Sequence, residues 1–143
     1  MNLIKKPIKD IRSLIPQKDP FVMVDTLLSF TENTITAGLT VLENNIFFNN
    51  GILVESGLIE NMAQTVALHT GYDYFLKNEQ APTGYIGSIK KIKIKALPKL
   101  GEVIITKVKI LQEFMGVTMV EIEVFDAQNN QIAVGNMKTV IAK

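Results

Sequence analysis

Apolar and polar positions change period several times along the chain. Phe21 to Phe30 is rich in apolar residues and β-formers, and Thr34 to Leu42 alternates apolar with polar or small residues. The intervening Thr31-Glu32-Asn33 predicts a turn, so the two runs read as a hairpin. Ahead of them, Ile11 to Pro20 predicts one short helical turn stopped by Pro16, then a loop. Asn44 to Gly51 reads as polar loop around the Phe47-Phe48 pair. From Val54 to about Thr70 the period becomes helical, with Leu58, Met62, Val66 and Ile59, Ala63, Ala67 on adjoining i, i+4 rows. Gly71 is the expected C-terminal stop. Few charges occupy the rest of this helix, which predicts that protein surrounds it. Gly57 in its first turn costs helix stability and points to a close approach of some group to the backbone.

Beyond the helix every signal is of strands. Tyr85 to Lys95 alternates, with Ile92 and Ile94 on one face and Lys91, Lys93 and Lys95 on the other. Glu102 to Glu113, Val117 to Phe125 and Gln131 to Ile141 follow, separated by turns at Pro98 to Gly101, Phe114 to Gly116 and Ala127 to Asn130. The order is two strands, one long buried helix and four strands. An α+β fold follows, in which an antiparallel sheet of about six strands curls around one central helix. The pattern leaves other α+β arrangements open.

Composition narrows the class. The 143 residues are 47% hydrophobic, enough to bury a core as one domain spanning residues 1–143. A formal charge of +1 demands neither nucleic acid nor an anionic membrane. No cysteine is present, which removes disulfides, thiol nucleophiles and Cys-based zinc sites. Lys5 and Lys6 interrupt the start too early for a signal peptide, and no apolar run approaches the ~18 residues of a membrane span. A soluble, cytoplasmic protein is expected.

Three segments carry a family resemblance. Leu14-Ile15-Pro16-Gln17-Lys18-Asp19-Pro20-Phe21-Val22-Met23-Val24-Asp25 is similar to the opening of the hot-dog 3-hydroxyacyl-(acyl carrier protein) dehydratases. Leu58-Ile59-Glu60-Asn61-Met62-Ala63-Gln64 resembles the part of their central helix that bears the catalytic carboxylate. Gly87-Ser88-Ile89-Lys90-Lys91, continued by Pro98-Lys99-Leu100-Gly101-Glu102, resembles the strand and turn that come after it. The resemblance implies a hot-dog fold, an acyl thioester on acyl carrier protein or CoA as ligand, no cofactor, and a homodimer or a heterodimer with another hot-dog protein. One departure matters. Those dehydratases place a histidine, in His-Phe-Pro-Gly, where this chain has Ile46, and the window here reads Ile46-Phe47-Phe48-Asn49-Asn50-Gly51. The chain resembles most the dehydratase-like proteins of aryl-polyene-type pathways, among which non-catalytic halves of mixed dimers are expected.

Glu60 is the leading catalytic candidate, because a carboxylate within an apolar, buried helix is costly unless it is paired or useful. Gln64, one turn on, either orients Glu60, binds the thioester arm, or makes a plain buried hydrogen bond. Gly57 either offers a backbone N–H to a thioester carbonyl or allows tight packing. Asn49 and Asn50 are candidate hydrogen-bonding residues for substrate, though neither is a base and Asn-Gly is ordinary turn chemistry. His69 falls on the opposite face of the helix from Glu60, reads as structural, and has no companions at metal-ligand spacing; no metal is expected. Lys91, Lys93 and Lys95, with Lys90 and Lys99, form either a solvated face or a guide for an acidic carrier protein. Dehydration calls for two proton-handling groups, of which only Glu60 is evident. Thioester hydrolysis by a single helix carboxylate is the alternative, and a structural partner for an active dehydratase is the third reading.

Overall fold

The computed structural model describes residues 2–142. A short 3-10 turn at Arg12–Leu14 precedes the hairpin β1 (Thr26–Phe30) and β2 (Thr34–Thr40). A two-stranded ribbon follows, β3 (Phe48–Asn49) with β4 (Ile52–Leu53), and then the 22-residue helix α1 (Glu55–Leu76). The strands β5 (Gly84–Ile94), β6 (Val103–Phe114), β7 (Val117–Phe125) and β8 (Gln131–Ile141) complete the chain. The main sheet is antiparallel, in the order β1-β2-β6-β7-β8-β5, with α1 lying across it. This is the hot-dog arrangement that the strand and helix order implied.

The alternation of each central strand explains the packing. Ile104, Thr106 and Val108 of β6 and Thr118, Val120, Ile122 and Val124 of β7 are buried, while the residues between them face outward. They close on Leu58, Met62, Val66 and Leu68 of α1 to form the core. A stripe through Ile59, Glu60, Ala63, Ala67 and Thr70 is left half-buried. No helix among the described residues is long and apolar enough to cross a membrane.

Several elements differ from expectation. The helix does not stop at Gly71 but runs to Leu76. A Cβ at Gly71 would run into the carbonyl of Leu14, so this glycine serves a close crossing of two backbones and not a terminus. The helix continues because Tyr72 packs edge-on against Phe30, with ring centroids 5.0 Å apart. It ends where Asn78 takes the left-handed conformation (φ 57) that a helix terminator needs. Phe21 to Asp25 is extended but outside the strand, since Met23 takes its hydrogen bonds from α1 side chains in place of a neighbouring strand. The expected loop at Asn44 to Gly51 contains the β3 strand, closed by Asn50 and Gly51 at φ 52 and φ 85. Two successive positive φ values suit a two-residue hairpin, and Asn-Gly is the pair that tolerates them. In β5 the strict alternation is interrupted by register shifts after Ile86 and Lys90, with Lys91 at φ 55.

The two edges of the sheet differ. Beside β1, Ile8 exchanges both backbone hydrogen bonds with Leu27, at 2.9 and 2.8 Å, so the N-terminal segment covers that edge. The outer edge of β5 pairs with nothing among the described residues.

Candidate active site

α1 carries three adjacent polar side chains that its packing fixes in place. Gln64 is wholly buried. Its Oε1 accepts the Met23 N–H at 2.6 Å, which turns Nε2 the other way. Nε2 then donates to the Phe21 carbonyl at 2.8 Å and to Glu60 Oε2 at 2.6 Å. Asn61, also wholly buried, donates to the Met23 carbonyl at 2.7 Å and accepts from Thr106 Oγ1 at 2.6 Å. The extended segment from Phe21 to Met23 is thereby tied to the helix, and the amide that ties it also holds the Glu60 carboxylate. Asn61 escaped the sequence reading, although a second amide next to Glu60 on an apolar helix was a visible signal.

Glu60 is half-buried and borders a cavity of about 550 Å³ between α1, the segment from Ser13 to Gln17, and the ends of β5 and β8. Leu14, Ile15, Ala63, Val66, Ala67 and Ile86 give much of this wall an apolar surface. Glu60 is the one carboxylate in the wall, and no histidine, lysine or arginine lines it among the described residues. Neither ion pair among the described residues, Arg12 with Asp19 and Lys77 with Asp73, involves Glu60. Gln17 stands in the same wall with Oε1 enclosed and without a hydrogen-bond partner among the described residues, an acceptor that no pattern along the chain marks.

The other candidates fall elsewhere. Gln64 is not part of the cavity wall and donates to Glu60. Gly57 donates its N–H to the Val54 carbonyl at 3.0 Å, and a Cβ there would lie 2.8 Å from Leu53 Cδ1. Its N–H is engaged within the first turn of the helix, and its lack of a side chain admits Phe47 and Leu53. Asn49 and Asn50 are exposed and absent from the cavity wall of their own chain. His69 is buried on the far side, its Nε2 donating to the Thr31 carbonyl at 2.9 Å and its ring stacked on Phe30. No group of three His, Cys, Asp or Glu side chains among the described residues could hold a metal ion. Lys90, Lys91, Lys93, Lys95 and Lys99 are all exposed, on and beside the open edge strand.

A lone carboxylate above an apolar cavity, held by one amide, can take or give one proton next to a ligand lying in the cavity. Among the described residues no imidazole stands beside it in the wall, and the other ionisable side chain there is the Tyr85 phenol.

Comparison with known proteins bears on the family and the fold. The chain is 31% identical over 124 residues to the 3-hydroxyacyl-[acyl-carrier-protein] dehydratase FabZ of Vibrio atlanticus, a match covering 77% of both chains. Its fold matches a chain of the dehydratase heterocomplex ApeI:P from Xenorhabdus doucetiae with a TM-score of 0.82. That match has 17% identity and covers 93% of this chain and 91% of the other. A hypothetical thioesterase with coenzyme A from Streptococcus pneumoniae shares the fold more loosely, at a TM-score of 0.64 and 10% identity, over 81% of this chain and 84% of that one. The family model of the ApeP dehydratases matches residues 9–143. The chain belongs to the ApeP-like dehydratase family.

Proposed function

We propose that the chain binds acyl thioesters, on acyl carrier protein or coenzyme A, with the acyl group in the 550 Å³ cavity and the thioester end near Glu60. In this reading it is a 3-hydroxyacyl-(acyl carrier protein) dehydratase-like subunit of fatty-acid or polyene biosynthesis, weakly active or inactive alone. The observation that carries it is Glu60 as the sole carboxylate of a cavity wall that has no imidazole. Dehydration removes a proton from C2 and returns one to the departing C3 hydroxyl, and each well-placed group contributes about 10²–10⁴ in rate. Glu60 can serve one of these roles. An imidazole from a second hot-dog subunit would serve the other.

The open edge of β5 supports pairing with such a subunit, because the free side of an 11-residue edge strand is an exposed hydrogen-bonding template. The naming of two proteins in the Xenorhabdus dehydratase heterocomplex supports a mixed dimer. Asn49 and Asn50, exposed at the tip of their ribbon, would act on a partner's cavity if they act on substrate at all. The exposed lysines beside β5 suit an acidic carrier protein approaching from that side.

Thioester hydrolysis needs only one carboxylate to activate water, which Glu60 could do. It also needs a donor for the oxyanion. The Gly57 N–H is already engaged with Val54, so this second reading loses its stabilising group.

The test is incubation with a 3-hydroxyacyl carrier-protein substrate, alone and with a histidine-bearing homologue. No enoyl product alone and rapid turnover in the mixture support the proposal, and Glu60→Gln in the mixture shows whether the composite site uses this helix. Fast dehydration by the chain alone, abolished by Glu60→Gln, would refute it. Release of free acid and thiol would establish hydrolysis instead.

A further inference from the structure

A second cavity, of about 650 Å³, lies beyond the first along the same helix. Thr70, Thr118 and Ile141 belong to the walls of both. Glu60, Ala63, Ala67 and Thr70 form one stripe of α1 along the first cavity, and Tyr74 and Lys77 continue that stripe into the second. The character of the lining changes at the shared residues. On the Glu60 side the wall mixes aliphatic side chains with uncharged polar ones and Glu60 is its one charge, whereas the far side presents Glu32, Asp73, Lys77 and Glu113. Thr118 is buried on the inner face of β7, so it is a fixed part of the divide and not a mobile surface group.

We infer that Thr70, Thr118 and Ile141 form the floor of the acyl site and set the longest acyl chain that it accepts. The inference rests on the acyl-binding reading above and adds to it a chain-length class. Glu60 and Thr70 are ten residues apart on α1, about 15 Å at the helical rise, which accommodates a straight chain of roughly a dozen carbons. Within that length each methylene leaves water for a wall that is uncharged apart from Glu60 and more apolar than that of the far chamber. Beyond the floor it enters a charged chamber, where leaving water brings no comparable gain. Affinity should therefore climb with chain length and then level off. The ligand class is a medium-length, unbranched acyl thioester.

The experiment is a binding titration of the purified protein, in the oligomer it forms, with straight-chain acyl-CoA thioesters from butanoyl to octadecanoyl. Affinity is expected to rise about fourfold per methylene, the equivalent of about 0.8 kcal/mol, up to a break near dodecanoyl. Ile141→Ala opens the floor and moves the break to longer chains, while Thr70→Leu fills it and moves the break to shorter ones. Thr70 lies in the half-buried stripe, so Thr70→Leu reads the floor even if Ile141→Ala does not fold. Tight binding with a break that stays in place in Thr70→Leu overturns the inference and leaves the acyl-binding reading intact. No binding at any length by the parent protein overturns both.

Discussion

Replacing Gln64 with Leu removes three hydrogen bonds at once, and their surroundings set the cost. The Met23 N–H and its partner oxygen are buried, so after the change the N–H has no water to turn to. A buried donor left in that state costs about 1–3 kcal/mol. The Phe21 carbonyl is only part-buried and recovers some of its loss from solvent, as does Glu60. Leu is close in size to the side chain it replaces, and its apolar transfer offsets part of the penalty. We expect a net loss of about 3 kcal/mol. Gln64→Glu makes a different prediction at the same position. It sets two carboxyl groups 2.6 Å apart where an amide donor now meets Glu60. Like charges so close share a proton, which lifts the pair's folded-state titration above the unfolded value. The folded state then binds more protons than the unfolded one, so the variant is most stable at low pH and loses stability as pH rises through the folded pKa. Urea unfolding between about pH 5 and about pH 8 measures both effects. A Gln64→Leu cost below about 1 kcal/mol, or a Gln64→Glu deficit independent of pH, would refute this account of the clamp.

Gly71→Ala should destabilise by about 3 kcal/mol, because the added methyl meets the backbone carbonyl of Leu14, which has nowhere to move; thermal unfolding reads it, and a near-neutral variant would contradict the close crossing. Asp126 should titrate below its ordinary 3.8, held down chiefly by the Asn130 backbone N–H and further by the Asn130 side chain and Gln128 N–H. Its contribution to stability is therefore present above the unfolded value and is lost as pH falls through the lower folded one; a carboxyl-carbon NMR titration at or above 3.8 would contradict that. Sedimentation at micromolar concentration should give a dimer or a mixed dimer through the β5 edge, and a monomer alone would remove the basis for edge pairing.

How much was legible follows from which interactions are local. The strands β7 and β8 begin and end where alternation and turn residues place them, because each buries one face and meets its neighbour through a short turn. The helix start was legible for the same reason. Its end was not, because Gly71 obeys a contact with Leu14, far away in sequence, and the chain pattern carries no trace of that crossing. The β3–β4 ribbon was missed although its Asn50-Gly51 turn was in plain view, since strands of two residues are too short to show a period. Phe21 to Asp25 had strand composition, yet its partners are side chains of a helix some forty residues on.

The site divides along the same line. Glu60 was legible because a charge on an apolar helix is conspicuous, and the cavity beside it was not, because its walls come from Ser13 to Gln17 and from the residues around Ile86, which lie far from Glu60 in sequence. The clamp has a further consequence for reading function. Gln64 ties Phe21 and Met23 to the helix and holds Glu60 with the same amide, so selection for a stable fold alone would keep a donor aimed at that carboxylate. A well-placed Glu60 is thus compatible both with a catalysing subunit and with one that has stopped. Glu60→Gln does separate them. Its side-chain carbonyl can still accept the Gln64 N–H, so the clamp and the fold stay as they are while the proton-handling group is gone. Any activity lost in that variant at unchanged stability belongs to the chemistry of the carboxylate, and any activity retained belongs to the partner.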